Sequence, residues 1–382
     1  HSFPTRRSSD LPDFENNPHV FVVYNYMDGG NTFVAVSRWT YDGEKIEENS
    51  EMILIDGIAG SQIHDGSRLW IREPEMKLYI TTGDAANASS AQNLNSLNGK
   101  TLRLNLDGSV PEDNPFPGSP IWSWGHRNAQ GMVVHNDIMY QSEHGPADND
   151  EVNIIYKGRN YGWPDVHGYC DQPEEQDFCA DSNVVEPIEA WTPTLAVAGL
   201  DFYDKSMIQE WENSLLLANL KASRIVQLKL SQDGMTVEST TDFFTNQFGR
   251  LRDICISPDG KVYISTSNKD GRGSPAPQDD RIIEITPKPG SVDTINGDSG
   301  SLMITPNPAY DSATISFSGA LKPDAVLSIY DNLGNLVKKF PYISAGGGID
   351  IDQIDFKSIG SGVYHALLEN GGNTYAEKLI IY

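Results

Sequence analysis

The chain has 382 residues, a formal net charge of −25 at pH 7 and 38% hydrophobic residues, and this length fits two domains of roughly 100–200 residues each. A nucleic-acid partner requires a basic surface, and an anionic membrane repels an acidic one, so both are disfavoured as partners. No apolar run approaches the roughly 20 residues that span a bilayer, and we expect a protein without a membrane span.

The first eleven residues, HSFPTRRSSDL, look like the conceptual translation of a sequencing-adapter oligonucleotide. They carry no apolar pattern that connects them to the rest of the chain, so we exclude 1–11 from the fold. On this interpretation the natural protein begins upstream of Pro12, and the lack of a signal peptide carries no information.

The region 12–288 consists of short alternating segments between turn clusters, with no convincing long amphipathic helix. Alternation of apolar and polar residues predicts strands at 20–26, 33–39, 52–55, 78–82, 102–106, 138–142, 215–218, 225–230, 262–266 and 282–285. The stretch KLYITTGD at 77–84 recurs as KVYISTSN at 261–268. Many short strands with recurring turns predict a β-propeller of four-stranded blades, with a pair of β-sandwiches as the alternative.

Cys170 and Cys179 bracket an acidic stretch, CDQPEEQDFC, that is rich in turn-forming residues. We interpret it as a loop closed by a disulfide, with two reduced thiols as the alternative. Cys255 lies in the alternating segment 253–257 and is predicted to be a buried thiol. A metal site at the cysteine pair is disfavoured because no second Cys/His pair at zinc spacing lies nearby.

The segment 289–303 is rich in Gly, Ser and Asp and has no hydrophobic period, which predicts a linker. After it, TPNPA at 305–309 precedes strand patterns at 313–317, 325–330, 336–340, 349–354, 362–368 and 378–382. About seven short strands in this length predict a small immunoglobulin-like β-sandwich over 304–382.

This tail resembles the carboxy-terminal sorting domain of type IX secretion substrates in Bacteroidetes-type bacteria. The likeness rests on TPNPA, on IYDNLGNLVKKF at 329–340, on SGVYHALLENG at 361–371 and on the terminal AEKLIIY. It implies a secreted or cell-surface protein whose partner is the secretion machinery, and export agrees with a disulfide. The alternative is a generic module that binds carbohydrate or spaces domains.

Seven segments of the large domain follow one another in a fixed order: IHDGSRLWI (63–71), LNGKTLRLNLDGSVPEDNPF (97–116), GHRNAQGM (125–132), EHGPADNDEVN (143–153), GRNYGWP (158–164), NLKASRI (219–225) and GRLRDICISPDGKVY (249–263). In that order they resemble the PQQ-dependent soluble aldose dehydrogenases, also called the glucose/sorbosone dehydrogenase family. The resemblance implies an all-β, six-bladed propeller. It also implies that most of the first blade is missing, because members of the family carry further strands before the segment that matches 14–26.

Several cations of this acidic chain fall at strand ends or turns, where the loops of a propeller face the central channel. Cations gathered there would hold carboxylates by charge-assisted hydrogen bonds, and PQQ carries three carboxylates. The resemblance assigns PQQ contacts to Asn128, Lys221, Arg250 and Arg252, and a catalytic role to Arg127. Any one of these cations, taken alone, is more simply an exposed salt-bridge partner.

The match to the H-x-x-x-R-L segment of the family makes His64 the general base. A neutral imidazole suits this task, because its unperturbed pKa of about 6.5 leaves it able to accept a proton near pH 7. Gly66 and Ser67 stand where members of the family often have paired glycines. Without the resemblance, a bystander histidine is the simpler interpretation.

The Gly-Pro step of EHGP supplies backbone carbonyls, which calcium accepts together with carboxylates. By resemblance, the carbonyls of Gly145 and Pro146 bind the calcium that also holds PQQ. Glu151, through its carboxylate, and Tyr161, through its carbonyl, match a second, structural calcium site; a solvated acidic loop is the alternative. His144 lies where relatives carry Gln, and its role is open.

These matches imply a secreted enzyme that oxidises the anomeric carbon of an aldose to a lactone with PQQ and Ca²⁺, and then passes the electrons to an unidentified acceptor. An NAD enzyme needs a G-x-G-x-x-G motif in a βαβ unit, and the sequence has none. The alternatives are a non-catalytic propeller that binds a ligand and a calcium-dependent, lactonase-like hydrolase. Neither would need the full set of His64, Arg127, Lys221, Arg250 and Arg252.

Overall fold

The structure, a computed structural model, describes residues 14, 16–73, 75–287, 302–310, 312–317, 322, 325–331, 334–340, 351–355, 359–371 and 373–382. The chain divides into two compact units between Thr286 and Pro287. The adapter-like segment 1–11 and nearly all of the predicted linker 289–303 lie outside the described residues. Within the described part, no helix is long and apolar enough to cross a membrane.

Five antiparallel sheets make up the described part of the first unit. Sheet 1 contains β1 (His19–Asp28), β2 (Asn31–Thr40) and β3 (Met52–Ala59), and sheet 2 contains β4 (Leu69–Arg72), β5 (Lys77–Thr82), β6 (Lys100–Asn105) and β7 (Ile121–Trp124). Sheet 3 contains β8 (Ala129–His135), β9 (Ile138–Glu143), β10 (Asp150–Ile154) and β11 (Glu189–Trp191). Sheet 4 contains β12 (Val197–Tyr203), β13 (Ser214–Asn219), β14 (Arg224–Leu230) and β15 (Val237–Phe243), and sheet 5 contains β16 (Leu251–Ile256), β17 (Val262–Thr266) and β18 (Ile282–Ile285).

The five sheets are arranged as the blades of a β-propeller. Each sheet pairs its strands in chain order, and the first strands of successive sheets contact one another: β1 with β4, β4 with β8, β8 with β12, and β12 with β16. The first strand of each sheet therefore lies innermost, as in a propeller blade. The resemblance implies a plan of six blades, and this number of blades stays a prediction.

The antiparallel order of the strands determines which loops lie at the same end of the propeller. In each sheet the start of the first strand, the end of the second and the start of the third lie at the same end of the propeller. This end, called the site end, carries the segments 61–68, 83–99, 125–128, 144–149, 220–223, 249–250 and 267–281. Short 3₁₀ turns occur at Ala88–Ser90 in one of these loops and at Gln209–Trp211 elsewhere.

Apolar cores lie between neighbouring sheets. Phe21 and Val36 of sheet 1 pack with Leu78 and Leu104 of sheet 2, and similar clusters join sheets 3 and 4 and sheets 4 and 5. Full burial of one such side chain stabilises the fold by about 1.5–3 kcal/mol. The cores therefore hold the loops of the site end on a rigid base.

One α-helix, α1 (Pro173–Ser182), interrupts the connection from β10 to β11. It occupies much of the stretch for which we predicted a loop, and that prediction was wrong. Pro173 begins the helix, and Gln172 and Glu175 form a reciprocal capping box, so the residues taken as turn formers instead start a helix. A disulfide joins Cys170 to Cys179 and ties the approach of α1 to its body.

The prediction that Cys255 is a buried thiol was also wrong, because its side chain is exposed. Successive residues of a strand point to opposite faces. In β16 the neighbouring Ile254 is fully buried, which turns Cys255 outward.

The second unit contains two antiparallel sheets within its described residues. One consists of β19 (Leu302–Thr305), β20 (Ser312–Phe317) and β23 (Ile351–Asp355); the other consists of β21 (Val326–Asp331), β22 (Leu336–Phe340), β24 (Gly362–Asn370) and β25 (Asn373–Ile381). Ile315 and Phe317 from the first sheet share one apolar core with Leu327, Leu368 and Leu379 from the second.

Candidate active site

The sequence-predicted site residues of the first unit lie at the site end. His64 precedes β4, Arg127 and Asn128 precede β8, Lys221 lies between β13 and β14, and Arg250 precedes β16. At the same end, Arg252 is the second residue of β16 and Glu151 the second residue of β10. Gly145 and Pro146 lie in the loop between β9 and β10.

The connection from β10 to β11 also reaches the site end, although β10 runs away from it. The backbone amide of Tyr161 donates to the carbonyl of Trp124 at 2.9 Å, and that of Trp163 donates to the carbonyl of Gly125 at 3.0 Å. These bonds fasten the connection beside the segment that leads to Arg127. It thereby forms one wall of the site.

His64 is held through one ring nitrogen. Its Nδ1 lies 2.9 Å from Oδ1 of Asp84, and its side chain is 18% exposed. An ionised carboxylate only accepts hydrogen bonds, so in a neutral imidazole this pairing places the proton on Nδ1 and the lone pair on Nε2. A Cβ at Gly83 would lie 1.7 Å from the carbonyl oxygen of His64, so the close approach of the two segments requires glycine there.

Asp84 is the member of this pair that sequence reasoning missed. It is 2% exposed, its Oδ1 also accepts from the amide of Ala86, and its Oδ2 accepts from Nε1 of Trp163, both at 2.9 Å. Asp84 lies 20 positions after His64, at the end of the repeated KLYITTGD stretch. No local pattern connects the two residues, so only the fold brings them together.

The turn at Gly66 and Ser67 is formed without a second glycine. Both residues have positive φ, 62° and 78°. The hydroxyl of Ser67 donates to the carbonyl of Asp65 at 2.9 Å, and the amide of Gly66 donates to Oδ1 of Asn128 at 3.1 Å. The turn therefore joins the His64 loop to the segment before β8.

Glu143 organises the segment before β8. Its Oε1 accepts from the backbone amides of Arg127 and Asn128, the latter at 3.2 Å. Its Oε2 lies 2.9 Å from Nδ1 of His126, whose side chain is fully buried. A carboxylate that accepts from two adjacent amides fixes their backbone, so Glu143 sets the direction of the Arg127 and Asn128 side chains.

Arg127 reaches across a small pocket. Its Nη1 donates to the carbonyl of His144 at 3.0 Å, and its guanidinium lies 5.2 Å from the Trp163 ring. Its Nε is buried and has no hydrogen-bond partner within the described part of the chain. Burial lowers the pKa of Arg127, and the carboxylates of Asp84 and Glu143 oppose this effect.

The predicted calcium ligands line this same pocket. Its lining comprises Arg127, Glu143, His144, Gly145, Pro146, Asn149, Glu151, Tyr161, Trp163, Val166 and His167. The structure thus brings the two predicted calcium sites, Gly145 with Pro146 and Glu151 with Tyr161, to one place. No cluster of three or more His, Cys, Asp or Glu side chains suited to a metal occurs among the described residues.

Two carboxylates lie close together at this pocket. Burial, together with the charge of Glu143, raises the pKa of Glu151 to about 8. Glu151 accepts hydrogen bonds from Asn153 and from the amide of Gly168, at 2.9 and 2.8 Å. Burial also raises the pKa of Tyr161, whose hydroxyl donates to the carbonyl of Ile154 at 2.6 Å.

Lys221, Arg250 and Arg252 gather on sheets 4 and 5, whereas His64, Asp84 and Arg127 gather on sheets 2 and 3. Nε and Nη2 of Arg250 donate to Oδ2 of Asp270 at 3.0 and 2.9 Å, and Nη2 of Arg252 lies 3.5 Å from the same oxygen.

A single carboxylate therefore serves two guanidinium groups in this cluster. Nη1 of Arg250 also donates at 3.4 Å to the carbonyl of Leu220, next to Lys221. Lys221 is exposed and donates to the hydroxyl of Thr194 at 3.1 Å. Burial lowers the pKa of Arg252, so its guanidinium lies in a partly dry setting.

Comparison with known proteins identifies a family for each of the two units. Residues 9–274 match the model of the glucose/sorbosone dehydrogenase family, and residues 303–382 match that of a secretion system C-terminal sorting domain. The chain is 30% identical over 368 residues to quinoprotein glucose dehydrogenase B of Acinetobacter calcoaceticus, with 74% of this chain and 76% of that protein covered.

An aldose sugar dehydrogenase of Escherichia coli strain K12 is 29% identical over 276 residues, which cover 68% of this chain and 73% of that protein. Among solved structures, the PQQ-bound form of aldose sugar dehydrogenase from Streptomyces coelicolor has a TM-score of 0.60 at 30% identity, with 72% of this chain and 77% of that chain covered.

Proposed function

Because this chain belongs to the glucose/sorbosone dehydrogenase family, we propose that it oxidises the anomeric carbon of an aldose to the lactone with PQQ and calcium. The observation that carries the proposal is the His64–Asp84 pair, whose geometry leaves one imidazole nitrogen able to accept a proton. Its relatives include a quinoprotein and a PQQ-bound enzyme, which supports the choice of cofactor.

The residues present fit PQQ. Arg250 and Arg252 share the carboxylate of Asp270, and Lys221 directly follows Leu220, whose carbonyl accepts from Arg250, so these cations can hold further carboxylates by charge-assisted hydrogen bonds. The buried Nε of Arg127 lacks a partner among the described residues, and such an orphaned donor is costly unless a ligand accepts from it. Lys221, Arg250, Arg252 and Asn128 would hold the cofactor.

The pocket residues fit calcium, a hard cation that takes oxygen ligands. A Cβ at Gly145 would lie 1.8 Å from the carbonyl oxygen of Asp148 and 2.5 Å from that of Asn149, so backbone oxygens converge on this glycine. Gly145 and Pro146 would supply carbonyls to the calcium beside PQQ, and Glu151 and Tyr161 would bind a second ion. A cation would also relieve the repulsion between Glu143 and Glu151.

When bound, PQQ would supply a hydride acceptor, and calcium a Lewis acid. His64 takes the proton of the C1 hydroxyl at Nε2, because Asp84 occupies Nδ1 and stabilises the imidazolium that forms. Arg127 stabilises negative charge that develops in the transition state; its backbone is fixed by Glu143 and its guanidinium packs on Trp163. Trp163 donates to Oδ2 of Asp84 and thereby helps to hold the carboxylate that orients His64.

Two finer structural proposals accompany this function. We infer that the first unit, over 12–288, has the six-bladed plan of its family, and that the second, over 304–382, is an immunoglobulin-like sandwich. The second unit is a secretion sorting domain, which indicates export by the type IX route to the cell surface or the medium. The secretion machinery is therefore the expected macromolecular partner, and an aldose the expected small-molecule partner.

The test is a titration of the purified apo chain with PQQ in the presence and absence of Ca²⁺, followed by quinone absorbance and by reduction of a dye with glucose. We expect calcium-dependent binding and sugar-dependent bleaching of the dye. A folded chain that binds no PQQ would contradict the proposal and favour the non-catalytic binding module. Hydrolysis of lactones with calcium alone would favour the lactonase-like alternative.

A further inference from the structure

A partly buried fork of hydrogen bonds crosses the propeller between two residues that lie 185 positions apart in the sequence. Nη1 and Nη2 of Arg68 donate to Oδ2 and Oδ1 of Asp253, both at 2.9 Å. The side chain of Arg68 is 2% exposed, and its Nε donates to the carbonyl of Gln130 at 3.0 Å. All three nitrogens of the guanidinium therefore have acceptors, an arrangement that lysine cannot reproduce.

The fork brings four sheets together. Arg68 directly precedes β4 of sheet 2, Gln130 lies in β8 of sheet 3, and Asp253 lies in β16 of sheet 5. From sheet 4, Gly199 of β12 approaches so closely that a Cβ there would lie 1.9 Å from Oδ1 of Asp253. These are innermost strands, so the fork lies where their inner edges converge.

The two ends of the fork adjoin the two halves of the proposed site. Arg68 follows His64 by four positions, and its amide and carbonyl bond to the hydroxyl and amide of Thr81, both at 2.9 Å, just before the Gly83–Asp84 segment. Asp253 directly follows Arg252. The base and the cofactor cations otherwise lie on different sheets.

We propose that Arg68 and Asp253 are positioning residues that fix the His64 loop relative to Arg250 and Arg252 across the propeller. The inference rests on the proposed function, because it assigns these segments a base and a cofactor site. The proton leaves the hydroxyl of C1 and the hydride leaves C1 itself, so their acceptors must be placed around one C–O group, and a displacement of about 1 Å between reacting groups costs about 100-fold in rate. A rigid, bidentate link between the two segments holds them at a fixed distance and orientation.

The first experiment needs neither cofactor nor activity. Hydrogen exchange of backbone amides is compared in the apo full chain, in Arg68→Lys and in Arg72→Lys. Arg72 is the matched control, because it lies in the adjoining strand β4 and pairs with the exposed Asp137. We expect Arg68→Lys to speed exchange of the amides of 252–254 on sheet 5, and Arg72→Lys to leave them unchanged. An effect of Arg68→Lys confined to 64–72 would overturn the proposal.

The second experiment measures the loaded enzyme. With PQQ and Ca²⁺, Arg68→Lys should lower kcat for glucose by about 100-fold and change the dissociation constant of PQQ by less than about threefold. Arg72→Lys should change neither. If Arg68→Lys lowers the PQQ affinity, kcat and the unfolding midpoint together, Arg68 has only a structural role. That result would overturn the proposal.

Gly199→Ala provides an independent variant, because it displaces the Asp253 carboxylate without removing a charge. We expect it to speed exchange at the amides of 64–68, the reverse direction of coupling. A wild-type chain that binds no PQQ would contradict the proposed function, whereas the exchange measurements would still decide whether the fork couples the two segments. If neither Gly199→Ala nor Asp253→Asn speeds exchange at the amides of 64–68, the coupling is refuted.

Discussion

The indole Nε1 of Trp163 donates a hydrogen bond of 2.9 Å to Oδ2 of Asp84, the carboxylate whose other oxygen lies 2.9 Å from His64. Trp163 belongs to the long connection between β10 and β11, whereas Asp84 follows β5. The same indole ring lies 5.2 Å from the guanidinium of Arg127. One side chain from sheet 3 therefore orients the proposed base and packs against the proposed electrostatic catalyst.

Trp163→Phe should lower kcat with glucose by about tenfold, because it removes one hydrogen bond to Asp84, worth about 1.5 kcal/mol for a charged acceptor, and keeps most of the ring. Steady-state kinetics with saturating PQQ measures this effect. Trp122→Phe is the control: Trp122 packs on Arg103 in the outer part of sheet 2. Equal losses in the two variants would argue against a specific role for Trp163.

Asp84→Asn should lower kcat by about 100- to 10,000-fold, the usual worth of general acid–base catalysis. An amide can donate to Nδ1 of His64, which moves the imidazole proton to Nε2 and removes the lone pair that accepts from substrate. His64→Gln should lose at least as much, with PQQ still bound by absorbance. Near-normal turnover in His64→Gln would remove His64 from the mechanism.

The strands that the sequence predicted include β2, β5 and β17, of which only β17 alternates regularly between buried and partly exposed residues. The innermost strands β8 and β12 were missed because polar residues and glycines interrupt the apolar runs of their sequences, AQGMVVH and VAGLDFY, although most of these residues are buried. The strand β15 was missed because its residues are mostly polar and exposed. Burial of both faces follows from the propeller and is not encoded locally.

Some residues of the proposed site could be predicted from the sequence and others could not. His64 and Arg127 were predicted from sequence motifs of the family, whereas the sequence analysis assigned no role to Asp84 or Trp163. Their roles depend on a contact between residues 79 positions apart. Such a pairing becomes visible only when the loop after β5 and the β10–β11 connection are seen at one end of the propeller.

Calcium at about 100 times its dissociation constant should raise the free energy of unfolding of the first unit by about 2.7 kcal/mol, because it binds only the folded pocket. Urea unfolding with Ca²⁺, and again with a chelator, measures this difference. Glu151→Gln should reduce it, because the pocket loses one carboxylate. Magnesium is the control ion: it demands a rigid octahedral site and should stabilise the chain much less.

Removal of the disulfide with Cys170→Ser and Cys179→Ser should lower the free energy of unfolding by about 2–3 kcal/mol, the chain-entropy expectation for a short closed loop. It should also speed proteolysis around α1, because the link ties Cys170 to the helix. Cys255→Ser is the matched control; Cys255 is exposed, so we expect a change within about 0.5 kcal/mol. Unaltered stability in the double variant would show that the capping box alone holds this segment.

Asp270→Asn tests the carboxylate that Arg250 and Arg252 share. Burial opposes ionisation of Asp270, but the amide of Arg272 and the two guanidinium groups outweigh it and hold its pKa below the ordinary value of 3.8. A lowered folded-state pKa contributes stability above pH 3.8, and this contribution is lost as the pH falls through the folded value. The variant should therefore be less stable than wild type by about 1–3 kcal/mol at pH 7.

The difference should shrink as the pH falls below about 4 and on through the folded-state pKa, because Asp270 is protonated first in the unfolded chain and then in the folded one, and so becomes neutral like the variant. Urea unfolding at pH 7, 5, 4 and 3 follows the trend. Asp137→Asn is the control: the side chain of Asp137 is 78% exposed, against 13% for Asp270, and an exposed ion pair contributes only about 0–1 kcal/mol. A difference between wild type and Asp270→Asn that stays constant down to pH 3 would mean that its origin is packing and not charge.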